Sequence, residues 1–167
     1  MSYRLKDIRI DHDLTQKYMA QKFNVSRSTY SGWENEGDNI PLYQFNNFCE
    51  IFNLSLDYVA KIIDRREEIT NNIKKKIDYK LIGQRLEIVR KENKITQKQL
   101  SKIMGISEAT YVNYKNGKTP IQTEILKEFA LYFKVSLDWL VGKSEIKKLK
   151  EEKIWTMKWD FIQNRLN

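Results

Sequence analysis

The chain has few of the residues that build metal centres, disulfides and membrane spans. Its 167 residues include a single cysteine, Cys49, and a single histidine, His12, which exclude an internal disulfide, a Cys/His zinc site and a Cys-His nucleophile pair. No apolar run reaches the about 18 residues of a spanning helix, and the first residues lack the apolar stretch of a signal peptide. We therefore predict a cytoplasmic protein that is not an enzyme, with no metal, no cofactor and no membrane partner.

The remaining composition fits a packed, basic protein. Apolar residues make up 41% of the chain and charged residues 31%, which leaves enough apolar material for a core. Lysine and arginine together number 30 against 22 aspartate and glutamate residues, so the formal net charge is +8. The length suits one medium domain or two small ones.

The sequence repeats itself once. Residues 5–59 align with residues 86–140 at a constant offset of 81, without a gap, and 15 of the 55 aligned positions are identical. We call these segments the first repeat and the second repeat. The predicted domains that contain them are 1–61 and 81–143.

Helix start signals recur at matching positions of both repeats. A Ser or Thr precedes each of three predicted helices, where its hydroxyl can accept a hydrogen bond from an N–H of the first turn. Apolar residues recur at three- and four-residue spacing, which is the periodicity of a helix face. The pattern predicts five helices per repeat, no strands and an all-α fold. The predicted capping residues are Thr15, Ser26 and Ser55, with Thr96, Ser107 and Ser136 in the second repeat.

The second and third predicted helices of each repeat form a helix-turn-helix pattern. Asn24 stands in the turn between them, and Tyr30 and Trp33 are spaced to face the core. Gly105 replaces Asn24 in the second repeat, and both residue types tolerate the positive φ of a tight turn. The spacing resembles the phage-repressor-like (Cro/repressor type, XRE-like) helix-turn-helix family over both repeats. The endings Leu-Ser-Leu-Asp-Tyr-Val (54–59) and Val-Ser-Leu-Asp-Trp-Leu (135–140) are similar to that family as well.

The resemblance implies two tandem five-helix lambda-repressor-like DNA-binding domains. The third helix of each would enter the major groove of double-stranded DNA, and the start of the second would approach a phosphate. The outward third-helix residues, which would read bases, are Arg27, Ser28 and Ser31, beside Gly32, in the first repeat and Glu108, Ala109, Val112 and Asn113 in the second. The residues expected at phosphates are Gln16, Lys17, Asn35, Gln97, Lys98, Lys102, Lys115, Asn116 and Lys118.

The two repeats differ in charge and in one internal ion pair. Members of the family often pair an Arg of the first helix with a Glu at the end of the third, and Arg9 has Glu34, whereas Arg90 would face Lys115. Residues 1–60 carry a net charge of −2, and residues 81–143 carry +5. We therefore expect the second repeat to supply most of the phosphate affinity. The first repeat, acidic around Asp38, would bind DNA weakly or bind another partner.

Two segments lie outside the repeats. Residues 62–80 lack proline and glycine and place Ile69, Ile73 and Ile77 four residues apart, which predicts a charged helical linker. Residues 144–167 are rich in apolar residues and predict a C-terminal amphipathic helix. That helix would pack back on the repeats or join two chains in a homodimer.

The sequence thus predicts a sequence-specific, double-stranded-DNA-binding transcription regulator, a repressor, that reads the major groove with the third helix of each repeat. The alternative is a protein-interaction module, such as an antitoxin or inhibitor, in which one repeat binds a protein instead of DNA. A steep salt dependence of DNA binding would separate the two, because lysine and arginine contacts to phosphates release counterions. No motif specifies the operator, the target genes or the oligomeric state.

Overall fold

The computed structural model describes residues 3–35, 37–66 and 76–149, and each repeat in it folds into five helices. The first repeat contains α1 (Leu5–Asp11), α2 (Gln16–Lys22), α3 (Arg27–Glu34), α4 (Leu42–Ile51) and α5 (Leu56–Val59). The second contains α6 (Tyr79–Glu92), α7 (Gln97–Ile103), α8 (Glu108–Lys115), α9 (Thr123–Phe133) and α10 (Leu137–Leu140). The all-α prediction is confirmed. None of these described helices has both the length and the apolar character that crossing a bilayer requires.

Hydroxyl caps fix the starts of six helices. Each of the six predicted Ser and Thr residues accepts a hydrogen bond from the backbone N–H three positions further on, as Ser26 does from Thr29 at 3.0 Å. A cap of this kind is worth about 1 kcal/mol. The turn before each third helix is sharp because Asn24 has φ 54° and Gly105 has φ 66°, as their residue types predicted.

Aromatic side chains from the third helices fill the centre of each repeat. Tyr30 and Tyr111 are fully buried, and Trp33 and Tyr114, one turn later, are buried as well. Cys49 is a buried free thiol within the same core, as expected of a small core residue. Because the buried residues of α3 and α8 lie on one side, the other side of each helix is left to solvent.

The two repeats are joined where α5 and α10 begin. Asp57 accepts hydrogen bonds from the Leu137 N–H at 2.7 Å and from the Ser136 hydroxyl at 2.6 Å. In return, Asp138 accepts from the N–H groups of Leu56 and Asp57 at 3.0 and 3.2 Å. Each aspartate therefore caps the helix of the other repeat. Such reciprocity is the property of an isologous interface, in which two copies use the same surface.

Further contacts extend this interface along α9. The Tyr3 hydroxyl donates to Glu124 Oε2 at 2.5 Å, and the Lys127 ammonium lies 4.6 Å from the centroid of the Tyr3 ring. The Thr123 hydroxyl donates to the Ile40 carbonyl at 2.6 Å. The second repeat thus contacts the first domain at three places: Tyr3 before α1, Ile40 before α4, and the start of α5.

The structure differs from the predicted helical linker over 62–80. Ile62 and Ile63 are buried, and residues 62–66 and 76–78 are non-helical. The helix begins only at Tyr79, where the Asp78 carboxylate accepts from two N–H groups of the first turn. Ile77, the last residue of the predicted stripe, is buried in non-helical backbone, and the other two residues of the stripe are not among the described residues. The predicted helical centre, 67–75, lies outside the described residues.

The structure also differs from the predicted C-terminal helix at its start. Residues 144–149 are extended rather than helical, and a backbone hydrogen bond from Ser136 N–H to the Lys147 carbonyl holds them beside α10. Val135 and Lys148 form an isolated antiparallel bridge. Backbone bonding to the turn between α9 and α10 replaces helical bonding at this point. Residues 150–167, which carry most of the predicted apolar face, lie outside the described residues.

The two interface aspartates form a coupled acid pair. Burial, followed by the charge of Asp138, raises the pKa of Asp57 to about 8. Burial also raises the pKa of Asp138, against the effect of the N–H groups that it accepts from. One proton held by the pair removes the repulsion between two buried carboxylates at neutral pH.

Asp57→Asn is expected to flatten the pH dependence of stability. Because folding raises the pKa, the folded pair holds a proton that the unfolded chain releases above about pH 4. The free energy of unfolding should fall as the pH rises from about 4 to about 8, by up to about 1.4 kcal/mol per pH unit from this pair. Asparagine keeps an acceptor for the Leu137 N–H and offers Asp138 a donor that does not titrate. Urea denaturation across this pH range measures the slope.

Asp11→Asn is the control for this experiment, since it makes the same charge change at an exposed position. It should retain the wild-type slope. An Asp57→Asn protein whose slope parallels that of the wild type would contradict a proton held between Asp57 and Asp138.

Candidate nucleic-acid interface

The outer faces of α3 and α8 carry all seven predicted base-reading residues. None of the seven is buried: four are exposed, and Ser31, Val112 and Asn113 are partly exposed. The exposed four are Arg27, Ser28, Glu108 and Ala109. Since the core holds the opposite side of each helix, these side chains are presented on a rigid support.

The predicted phosphate-contacting residues lie at the starts of α2 and α7, in the last turns of α7 and α8, and directly after the third helices. Gln16 and Lys17 open α2, and Gln97 and Lys98 open α7. In the first repeat Gln16 and Asn35 line one open groove together with Arg27, Ser28 and Ser31. None of the predicted phosphate-contacting residues is buried. The remaining members of the set are Lys102, Lys115, Asn116 and Lys118.

In the first repeat a buried carboxylate holds the start of α2. Glu34, at the end of α3, accepts from Arg9 Nε at 2.6 Å and from Arg9 Nη2 at 2.9 Å. It also accepts from Gln16 Nε2 at 3.0 Å. Burial opposes ionisation of Glu34, but the hydrogen bonds from Arg9 and Gln16 outweigh it and lower the pKa. One of the two amide N–H groups of Gln16 is therefore engaged by a carboxylate, which leaves the other for a phosphate.

In the second repeat the corresponding arginine pairs with a different carboxylate. Arg90 donates from Nε and Nη2 to the two oxygens of Glu87, each at 2.9 Å, and from Nη1 to the Ile95 carbonyl at 2.6 Å. The Tyr111 hydroxyl also donates to Glu87. The hydrogen bond from Arg90, supported by that from Tyr111, lowers the pKa of Glu87. Glu87 therefore neutralises Arg90 in the absence of a glutamate at the end of α8.

The repeats have in effect exchanged two charges. Glu87 aligns with Lys6, and Lys115 aligns with Glu34, so the carboxylate moves from the third helix to the first and a cation takes its place. Within the described part of the chain, no hydrogen bond engages the Gln97 side chain. The end of α8 thus carries a partly exposed lysine where the end of α3 carries a buried carboxylate that is paired with Arg9.

Sequence reasoning missed two features of the site and its support. Arg4 and Arg85 stack on equivalent rings, with guanidinium carbons 4.5 Å and 4.8 Å from the centroids of Tyr58 and Trp139. Extending the repeat alignment by one residue toward the N-terminus would have found this pair. The second feature is the Asp38 carboxylate, which covers Gly32 on the outer face of α3; no sequence spacing signals that contact.

A helix-turn-helix family model matches the chain twice, at residues 5–59 and 86–140, which together make up about two thirds of its length. The chain therefore belongs to the phage-repressor-like helix-turn-helix family and carries the unit in two tandem copies. The matched ranges coincide with the first and second repeats.

Two curated relatives are similar to parts of the chain. YobD of Bacillus subtilis (strain 168), an uncharacterized HTH-type transcriptional regulator, is 31% identical over 61 residues, which are 36% of this chain and 54% of YobD. Antitoxin PezA of Streptococcus pneumoniae serotype 4 (strain ATCC BAA-334 / TIGR4) is 28% identical over 85 residues, 51% of this chain and 54% of PezA. The chain thus spans about half the length of the curated relatives it matches. No solved structure matches it significantly.

Glu87→Lys is expected to destabilise the second repeat by itself, but not when it is combined with Lys115→Glu. Glu87→Lys leaves the Arg90 guanidinium and the Tyr111 hydroxyl without their acceptor, and should lower the free energy of unfolding by about 1–3 kcal/mol. Adding Lys115→Glu rebuilds the arrangement of Arg9 and Glu34 and should restore most of that loss. Urea denaturation of the single and double variants measures the coupling.

Glu87→Lys combined with Lys118→Glu is the matched control. Lys118→Glu makes the same charge change as Lys115→Glu, but at an exposed position in the loop after α8. This pair should show no recovery. If the effects of Glu87→Lys and Lys115→Glu simply add, the charge exchange does not account for how Arg90 is satisfied.

Proposed function

We propose that the chain is a sequence-specific, double-stranded-DNA-binding transcription regulator, a repressor, that places α3 and α8 in the major groove. The observation that carries this proposal is the two-sided third helix, with buried aromatic residues on one side and exposed polar or small residues on the other. The same helix occurs in both repeats, next to a capped α2 or α7. Membership of the helix-turn-helix family and similarity to a transcriptional regulator support it.

The interface between α5 and α10 supports binding by both repeats at once. Dimeric helix-turn-helix proteins reach two half-sites with two subunits related by a two-fold axis. Here reciprocal bonds between Asp57 and Asp138 and the opposite helix starts join two repeats of one chain in a comparable way. After one repeat has bound, the second acts at a high effective concentration.

The side chains on α3 and α8 suit different bases. Arg27 would donate to guanine O6 and N7, Asn113 would pair with adenine, and Glu108 would accept from cytosine N4. Ala109 and Val112 would contact thymine methyl groups. The operator would then consist of two unlike half-sites.

A second candidate function assigns the first repeat to a protein partner, in an antitoxin or an inhibitor. Asp38 places an exposed carboxylate against the outer face of α3, and the Gln16 side chain is bonded to the buried carboxylate of Glu34. Similarity to an antitoxin is consistent with this alternative. The homodimer through 144–167 and the cytoplasmic location stay predictions from the sequence.

DNA affinity is expected to fall steeply with salt. If the four lysines of the second repeat's outer face each neutralise one phosphate, the slope of log K against log salt concentration should be about −3.6 or steeper. Titration of random-sequence duplexes by fluorescence anisotropy at several salt concentrations measures it. A flat, weak response would favour the protein partner. The four residues are Lys98, Lys102, Lys115 and Lys118.

Alanine substitutions should separate base reading from phosphate binding. Asn113→Ala and Arg27→Ala should each change the preference at one base position, at a cost of about 1–3 kcal/mol for the preferred base. Lys118→Ala should weaken binding to every duplex alike and reduce the salt slope by about 1. Competition between duplexes that differ at single positions distinguishes the two behaviours. If Asn113→Ala weakened binding to every duplex equally, Asn113 would not be a base-reading residue.

A further inference from the structure

The outer face of α3 has a glycine where α8 has its asparagine. Gly32 aligns with Asn113, and its own position offers no side chain to a base. A Cβ atom built on Gly32 would lie 2.1 Å from Asp38 Oδ2 and 2.9 Å from Asp38 Cγ. The Asp38 carboxylate therefore occupies the space of the missing side chain. A side chain at position 32 would displace the carboxylate of Asp38, which is the free end of an exposed side chain.

The loop after α3 brings Asp38 to this place. The N–H groups of Gly37 and Asp38 both donate to the Gly32 carbonyl, at 3.0 and 3.2 Å, so the chain folds back over the end of the helix. In the second repeat Lys118, which aligns with Gly37, makes the corresponding bond to the Asn113 carbonyl at 2.9 Å. The backbone arrangement is thus shared by the repeats, and the side chains on it differ.

The carboxylate is placed to accept hydrogen bonds from a ligand. Asp38 is exposed and lines the same groove as Arg27, Ser28 and Ser31, the predicted base-reading residues of this repeat. Among the described residues no hydrogen bond or ion pair holds its oxygens. A carboxylate at this position can accept but cannot donate.

We propose that Asp38 is a specificity-determining residue of the first repeat, which accepts a hydrogen bond from N4 of cytosine at the base step facing Gly32. Cytosine presents an amino donor in the major groove, whereas guanine presents only the acceptors O6 and N7 there. Adenine adds the acceptor N7 beside its amino group, which repels a carboxylate and suits an amide such as Asn113. The inference rests on the proposed DNA-binding function. It gives the repeats different base preferences at equivalent positions.

Two variants test the two halves of this argument. Asp38→Asn keeps the shape of the side chain but adds a donor, and Gly32→Ala keeps the charge but forces the carboxylate away from the helix. The wild type, selected on random duplexes and then titrated on cytosine and adenine versions of the first half-site, should prefer cytosine by about tenfold. Asp38→Asn should shift that preference toward adenine, and Gly32→Ala should reduce it to within about twofold.

Two internal controls accompany the variants. Asp11→Asn removes the same charge from the exposed end of α1, away from the groove, and should keep the cytosine preference. The half-site read by the second repeat should be unchanged in all variants. Thermal melting of each variant verifies that it is folded.

The outcomes separate this inference from the function on which it rests. Equal strengthening of all duplexes by Asp38→Asn would make Asp38 a repulsive charge only, and would overturn the inference. A selection that returns only the half-site of the second repeat, lost in Asn113→Ala, would also overturn it while leaving a DNA-binding regulator in place. Absence of any selected sequence would instead count against the proposed function itself.

Discussion

Mutual capping by Asp57 and Asp138 determines how the two repeats are arranged. Each carboxylate is buried and accepts hydrogen bonds from the start of the helix in the opposite repeat. A buried carboxylate is costly unless such donors surround it, and a shared proton limits the repulsion between the two. Because bonds run in both directions, they constrain the orientation of one repeat relative to the other. The separation of α3 and α8, and therefore any spacing of half-sites, follows from this contact.

Within each repeat the third helix is held by its buried side. Tyr30 and Tyr111 anchor α3 and α8 in the two cores, so that substitutions on the outer faces need not disturb the fold. The duplicated unit therefore allows the two outer faces to diverge independently. The outward residues of α3 and α8 differ at every aligned position, although the buried Tyr30 and Tyr111 beneath them are identical.

The two repeats share an arginine at aligned positions, and the partner of that arginine decides which charge lies at the end of the third helix. Arg9 takes its carboxylate from Glu34 beside the recognition surface, whereas Arg90 takes it from Glu87 in its own helix. The second arrangement leaves Lys115 at the end of α8. At the corresponding position of the first repeat Glu34 is buried, and the exposed carboxylate near the outer face of α3 belongs to Asp38.

The sequence by itself determined the helix starts, the sharp turns, the buried faces and the family, because caps, left-handed residues and apolar periodicity act within a few positions. Prediction was less successful at 62–66 and 144–149, where burial and backbone pairing with the repeats replace a helix. Only the tertiary structure decided that Asp57 and Asp138 cap each other's helices and that Asp38 covers Gly32. Those contacts depend on how separate elements and a returning loop pack in space, which no local pattern encodes.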